Sequence, residues 1–122
     1  MEQPLRLWID STEVQVAWEN NKSVRALRDL AAKSPLRIKT SIYGGFEQVG
    51  ALGAALAHED RRITTKPGDI MLYSGDQIVL FFGKNTWSYT PLGRITDQSE
   101  KALAALLGNG QTTLTISVED IE

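Results

Sequence analysis

Lys66-Pro67-Gly68-Asp69-Ile70-Met71-Leu72-Tyr73-Ser74-Gly75-Asp76-Gln77-Ile78-Val79-Leu80-Phe81-Phe82 is the stretch that decides how this chain folds. It holds two apolar runs, Ile70 to Tyr73 and Gln77 to Phe82, each too short for a helix and each preceded by turn-forming residues. Pro67-Gly68 presets a turn through the fixed φ of proline and the freedom of glycine, and Ser74-Gly75-Asp76 offers a second reversal. Turns at that spacing lay neighbouring strands side by side and antiparallel. Ile78-Val79-Leu80-Phe81-Phe82 is apolar at both parities, so it is expected to be a core strand, with barrel interior against one face and a crossing helix against the other.

Toward the N-terminus, Ile63 among threonines reads as another short strand, and Ile38, Thr40 and Ile42 alternate as a longer one. Between them Gly44, Gly45, Gly50 and Gly53 interrupt every regular pattern, which predicts a long irregular surface loop from Tyr43 to Gly53. Leu5, Leu7 and Ile9, a polar turn at Asp10-Ser11-Thr12, then Val14 and Val16 predict an opening β-hairpin. After it Val24, Leu27, Leu30 and Ala31 fall on one face of a helix that Asn20 or Asn21 can cap and Pro35 ends.

Toward the C-terminus, Asp97 and Glu100 stand in capping-box spacing ahead of Ala102, Leu103, Leu106 and Leu107, and Gly108 and Gly110 stop that helix. Leu114, Ile116 and Val118 then alternate as a last strand before the acidic tail Glu119-Asp120-Ile121-Glu122. Short, evenly spaced strands with two helices cannot build a doubly wound sheet. The expected fold class is mainly β, a closed barrel of about eight antiparallel strands with two capping α-helices, as a single domain over 1–122.

Composition narrows the function classes. At 122 residues the chain can bury a substantial core, and 42% hydrophobic with 23% charged residues is ordinary globular composition, too interrupted for a membrane-spanning helix. A net charge of −2 and no basic run longer than Arg61-Arg62 give no field for a phosphate backbone, so nucleic acid and membrane are not expected partners. Without cysteine there is no thiol chemistry. Met1-Glu2-Gln3-Pro4-Leu5-Arg6 lacks a basic segment followed by an apolar one, so a cytoplasmic location is expected. His58 is the only histidine and has only Glu59 and Asp60 beside it, so neither a metal nor a serine nucleophile is expected to use it, and no cofactor is expected.

From Lys39 onward the order of short motifs resembles that of cyclophilins. Ser41-Ile42-Tyr43-Gly44 followed by Phe46-Glu47 is similar to their Ser-Ile-Tyr-Gly segment and the Phe-Glu behind it. Pro67 to Leu72 is similar to Pro-Gly-x-Leu-Ser-Met, Gly75 to Leu80 to Gly-Ser-Gln-Phe-Phe-Ile, Asn85-Thr86-Trp87 to Thr-Glu-Trp, and Leu92-Gly93-Arg94-Ile95 to Phe-Gly-Lys-Val. Tyr43 to Gly45, Pro67 to Tyr73 and Ser88 to Ile95 resemble, in particular, a small bacterial and archaeal group of cyclophilin-like proteins defined by fold without an established activity. The resemblance implies the barrel, and it places Gln77 at a groove-lining glutamine, Trp87 at a ligand-contacting tryptophan and Val79 at the pocket phenylalanine. The arginine of prolyl isomerisation lies in a Phe-His-Arg segment that has no match here. Arg37 is the nearest arginine and the catalytic role is not transferred to it, so no catalytic residue is assigned.

The residues themselves point to one candidate region. Tyr43, Phe46, Glu47 and Gln48 sit among glycines that let backbone approach a ligand closely. Tyr73, Gln77, Trp87 and Tyr89 add a polar amide and aromatic walls that pair broad apolar area with a polar tip. The expected function is binding of a small molecule or short peptide in a surface groove, with a reduced peptidyl-prolyl isomerase as the alternative. A third reading is an oligomerisation barrel in which exposed Trp8 and Trp18 mark an interface; the oligomeric state itself is not set by the sequence.

Overall fold

Alternation at the two ends of the chain becomes the seam of a barrel. The computed structural model describes residues 5–118, so the acidic tail lies outside the described residues. β1 (Leu5–Ile9), with Leu5, Leu7 and Ile9 turned inward, runs antiparallel to β10 (Gln111–Val118), whose Leu114 and Ile116 share that interior. β2 (Thr12–Val14) folds back on β1, as the opening hairpin requires. Val16, though, does not continue that pairing: the chain breaks at Gln15, and β3 (Val16–Trp18) crosses to pair with the far end of the sheet. The Gln15 N–H donates to Asp97 Oδ1 at 3.1 Å and its carbonyl accepts from the Thr96 N–H at 2.9 Å, which holds the bend.

The remaining strands are β4 (Leu36–Tyr43), β5 (Glu47–Ala51), β6 (Arg61–Thr64), β7 (Asp69–Tyr73), β8 (Gln77–Phe81) and β9 (Thr86–Ile95). The sheet runs β2-β1-β10-β4-β5-β8-β7-β9-β3, every pairing antiparallel, with β6 hanging on β9. Because β2 and β3 are consecutive, the two ends of this order meet through Gln15 and the sheet nearly closes on itself. The mainly-β barrel expected from the sequence is therefore the fold, with ten strands among the described residues where about eight are expected. One of the extra strands is β5: the Tyr43 to Gly53 stretch is not an irregular loop but the end of β4, a tight turn and a strand.

Two helices among the described residues pack onto the inner core. α1 (Lys22–Lys33) starts at Asn21, whose side chain accepts from the Val24 N–H at 2.9 Å, and buries Val24, Leu27 and Ala31. α2 (Glu100–Leu107) is capped by Ser99, which accepts from the Ala102 N–H at 3.1 Å, and buries Leu103 and Leu107. The capping box expected of Asp97 does not form, because that carboxylate is already engaged with Gln15. A cap is worth about 1 kcal/mol, and the bend at Gln15 uses the same kind of acceptor for closure instead.

β8 divides its side chains between two cores. Ile78 and Leu80 face the barrel interior with the helices. Val79 and Phe81 face outward, and no helix crosses them as the sequence reading expected; Met71 and Tyr89 cover them in a second apolar cluster, edged by Phe46, Val49, Ile63 and Tyr73. β9 makes this cover possible. Its second half pairs with β7 and β3, the register to β7 slipping between Ile70 and Met71 so that Leu92 of β9 is passed over beside Pro91. Its first half leaves β7 to pair with β6, which carries Trp87 and Tyr89 out over the barrel wall.

Trp8 and Trp18 are half-buried rather than exposed. The Arg6 guanidinium lies over the Trp8 ring at 4.8 Å, and Trp18 Nε1 donates to the Leu5 carbonyl at 3.2 Å, tying β3 to β1. Trp18 thus serves the closure of the barrel, and Trp8 packs against its own strand. Among the described residues no helix is long and apolar enough to cross a membrane.

Candidate functional site

The outward cluster forms the base of a cavity of about 430 Å³, lined by Tyr43, Phe46, Glu47, Val49, Tyr73, Gln77, Asn85, Trp87 and Tyr89. The β4–β5 hairpin builds one wall. At its tip Gly44 (φ +66) and Gly45 (φ +75) adopt left-handed backbone that a side chain would strain, and the turn sets Tyr43 opposite Glu47. The Phe46 ring folds beneath Gly44 so closely that a Cβ there would collide with it. The opposite wall comes from the end of the β7–β8 hairpin, where Tyr73 pairs with Gln77, and from Trp87 and Tyr89 on β9.

The rings are fixed against each other. Phe81 meets Tyr89 edge to face at 5.4 Å and 77°, and Tyr73 tilts against Tyr89 at 6.2 Å and 60°. Asn85 Nδ2 donates to the Tyr89 hydroxyl at 2.8 Å, while Thr65 anchors Asn85 by accepting from its N–H at 3.0 Å and donating to its carbonyl from both N–H and hydroxyl. At the mouth the rings are open to solvent: Tyr43 is 68% exposed and Trp87 54%.

Glu47 is the one acid among the described lining residues and is only 5% exposed. The Tyr89 hydroxyl lies close enough to favour its charged form, but the carboxyl oxygen Oε1 is buried without a partner among the described residues. Burial disfavours the charged form and pushes the Glu47 carboxyl up to about 7, the nearby Tyr89 hydroxyl offsetting only part of that. The Tyr89 hydroxyl is itself pushed up, first by burial, with the hydrogen bond from Asn85 opposing and the Glu47 charge adding to it. No Lys, Arg or His is among the lining residues.

A model of the Cyclophilin-like family matches residues 7–119, almost the whole barrel. The chain belongs to that family. A hypothetical protein of Archaeoglobus fulgidus, solved in solution, has a similar fold: TM-score 0.68 over 97% of this chain and 95% of that one, at 22% identity. No curated protein matches the chain. The kinship of this cyclophilin-like barrel is thus one of architecture, and its chemistry has to be read from its own residues.

Of the candidate residues read from the sequence, Tyr43, Phe46, Glu47, Tyr73, Gln77, Trp87 and Tyr89 are brought around this one cavity, and Gln48 is not. Gln48 is fully buried on the inner side of β5, where its Nε2 donates to the Leu107 carbonyl at 2.6 Å and its Oε1 accepts from Thr40 Oγ1 at 2.8 Å. It holds the C-terminal end of α2 against the sheet. Gln48→Ala is expected to cost about 2 kcal/mol in urea denaturation, since it strands a buried carbonyl, while leaving the cavity lining in place. The sequence reading missed Val49, hidden by the loop assignment, and Asn85, whose role depends on the fold-back of β9. Arg37 lies exposed on β4 opposite Thr115 of β10 and does not reach this cavity. His58 contacts Asp60 at 3.1 Å and covers Gly75, again away from the lining.

Proposed function

We propose that this cyclophilin-like barrel is a binding module that holds a small molecule or short peptide in the aromatic cavity on its outer wall. The observation that carries the reading is a single concavity in which five aromatic side chains surround one buried acid. Its volume lies within the range of about 300–1,000 Å³ usual for small-molecule sites, and a mostly apolar lining with few polar groups is what such sites require. Exposed Tyr43 and Trp87 leave broad apolar surface at the mouth that a ligand would cover. A prolyl isomerase reading is not favoured, because no arginine among the lining residues can approach a prolyl nitrogen.

The test is a titration of tryptophan fluorescence against a library of small molecules and short peptides. Trp87 is solvent-open while Trp8 and Trp18 are half-buried, so quenching or blue shift on binding is expected to come from Trp87. Trp87→Ala is expected to weaken any ligand found by about tenfold or more, an aromatic anchor being worth roughly 1–3 kcal/mol. Unchanged affinity in that variant would place the ligand elsewhere.

A further inference from the structure

We propose that the ligand of this cavity carries an ammonium group that retains at least one N–H, set against the aromatic rings and donating to Glu47. The inference rests on the binding reading above and names the class of ligand.

Three features of the site converge on it. The Oε1 atom of Glu47 is a buried acceptor with no donor among the described residues, and a buried polar atom without a partner is costly until something supplies one. The described lining residues hold no cation, so among them the carboxylate has no counter-charge and an ion pair is completed by a ligand. Around it stand the rings of Tyr43, Tyr73, Trp87 and Tyr89, whose electron-rich faces attract a positive charge. A quaternary ammonium would satisfy the rings and leave Oε1 orphaned. An alcohol would satisfy Oε1 and forgo the charge. A protonated amine with an N–H answers all three.

The proposal fixes a direction with pH. The titratable groups lining the cavity with Glu47 are Tyr43 from β4, Tyr73 from β7 and Tyr89 from β9, and none of them is basic. An ammonium needs Glu47 ionised, so affinity is expected to rise as the carboxyl loses its proton. A neutral ligand offering a carbonyl would need Glu47 protonated and would show the opposite slope.

The experiment uses phenethylammonium, phenethyltrimethylammonium and phenethyl alcohol as matched probes, with binding followed by NMR shifts of the Trp87 indole. Phenethylammonium is expected to bind at least tenfold more tightly than either analogue at pH 8, and to lose about tenfold between pH 8 and pH 6 as Glu47 takes up a proton. Glu47→Gln, close to isosteric and checked for an unchanged amide spectrum, is expected to abolish both the preference and the pH dependence while leaving the alcohol's affinity within about twofold. If the alcohol or the quaternary probe binds as well as the amine, or if acid strengthens binding, the ammonium assignment is wrong and the cavity still stands as a site. If no probe shifts the Trp87 indole even at millimolar concentration, the binding reading falls with it.

Discussion

Phe81→Ala is expected to lower the stability of the barrel by about 3–5 kcal/mol, the usual cost of emptying a fully buried aromatic site. Phe81 is completely buried and is not part of the main core. It stands on the outer face of β8, where Val79, Met71 and Tyr89 enclose it, and its ring is the edge-to-face partner that fixes Tyr89. The loss would be large because the wall beneath it is a rigid sheet whose other face is packed against the helices, so the void has little room to collapse. Domains of this size have total stabilities of about 5–15 kcal/mol, so the variant should unfold at a visibly lower urea midpoint. It should also release Tyr89 toward the floor of the cavity. A cost near 1 kcal/mol would mean that the outer cluster is not packed as a second core.

Glu47→Gln is expected to stabilise the protein at pH 8 and to leave it nearly unchanged at pH 5. In the unfolded chain this carboxyl ionises near 4.5, whereas in the folded one burial raises it to about 7. Between those values the folded state binds the extra proton, so stability falls as pH rises through this window, by up to about 3 kcal/mol. The amide carries no charge at any pH and removes that slope. The other shifted acid does not confuse the comparison. The Arg6 guanidinium, with Nε and Nη2 each donating at 2.8 Å, holds Glu13 below its ordinary value, so the stability it adds is lost only in stronger acid. Thermal midpoints of both proteins from pH 5 to pH 8 are the check, and parallel curves would show that Glu47 is not desolvated in solution.

The barrel was legible because its strands obey parity. Leu5-Leu7-Ile9, Ile38-Thr40-Ile42 and Leu114-Ile116-Val118 each put alternate side chains on one face, and burial follows that alternation along most of their length. What escaped the sequence was long-range. Val14 and Val16 keep the rhythm of a single strand, and nothing local says that the chain leaves one edge of the sheet at Gln15 and joins the other. Asp97 has capping-box spacing, yet it is drawn away to Gln15, and Ser99 caps the helix in its place.

The site was legible to a similar degree and for related reasons. Its aromatic residues and Glu47 stood out by type and by their place among turns. The glycines around Glu47 and Gln48 suggest a loop, where neighbouring side chains can point the same way. In a strand they cannot: β5 sends Glu47 to the cavity and Gln48 to the end of α2. Gly50 belongs to the inner set too, and its lack of a side chain reflects crowding by Ile38, Thr40 and the Lys39 carbonyl rather than a turn.

The function proposed for the cavity depends on Glu47 being an acid desolvated by aromatic rings, with no cation among the described lining residues. The most direct measurement is an NMR titration of the Glu47 carboxyl carbon in the free protein, assigned by comparison with Glu47→Gln. A midpoint near 7 is the predicted result. A midpoint close to the ordinary 4.5 would show a solvated carboxylate and contradict the account.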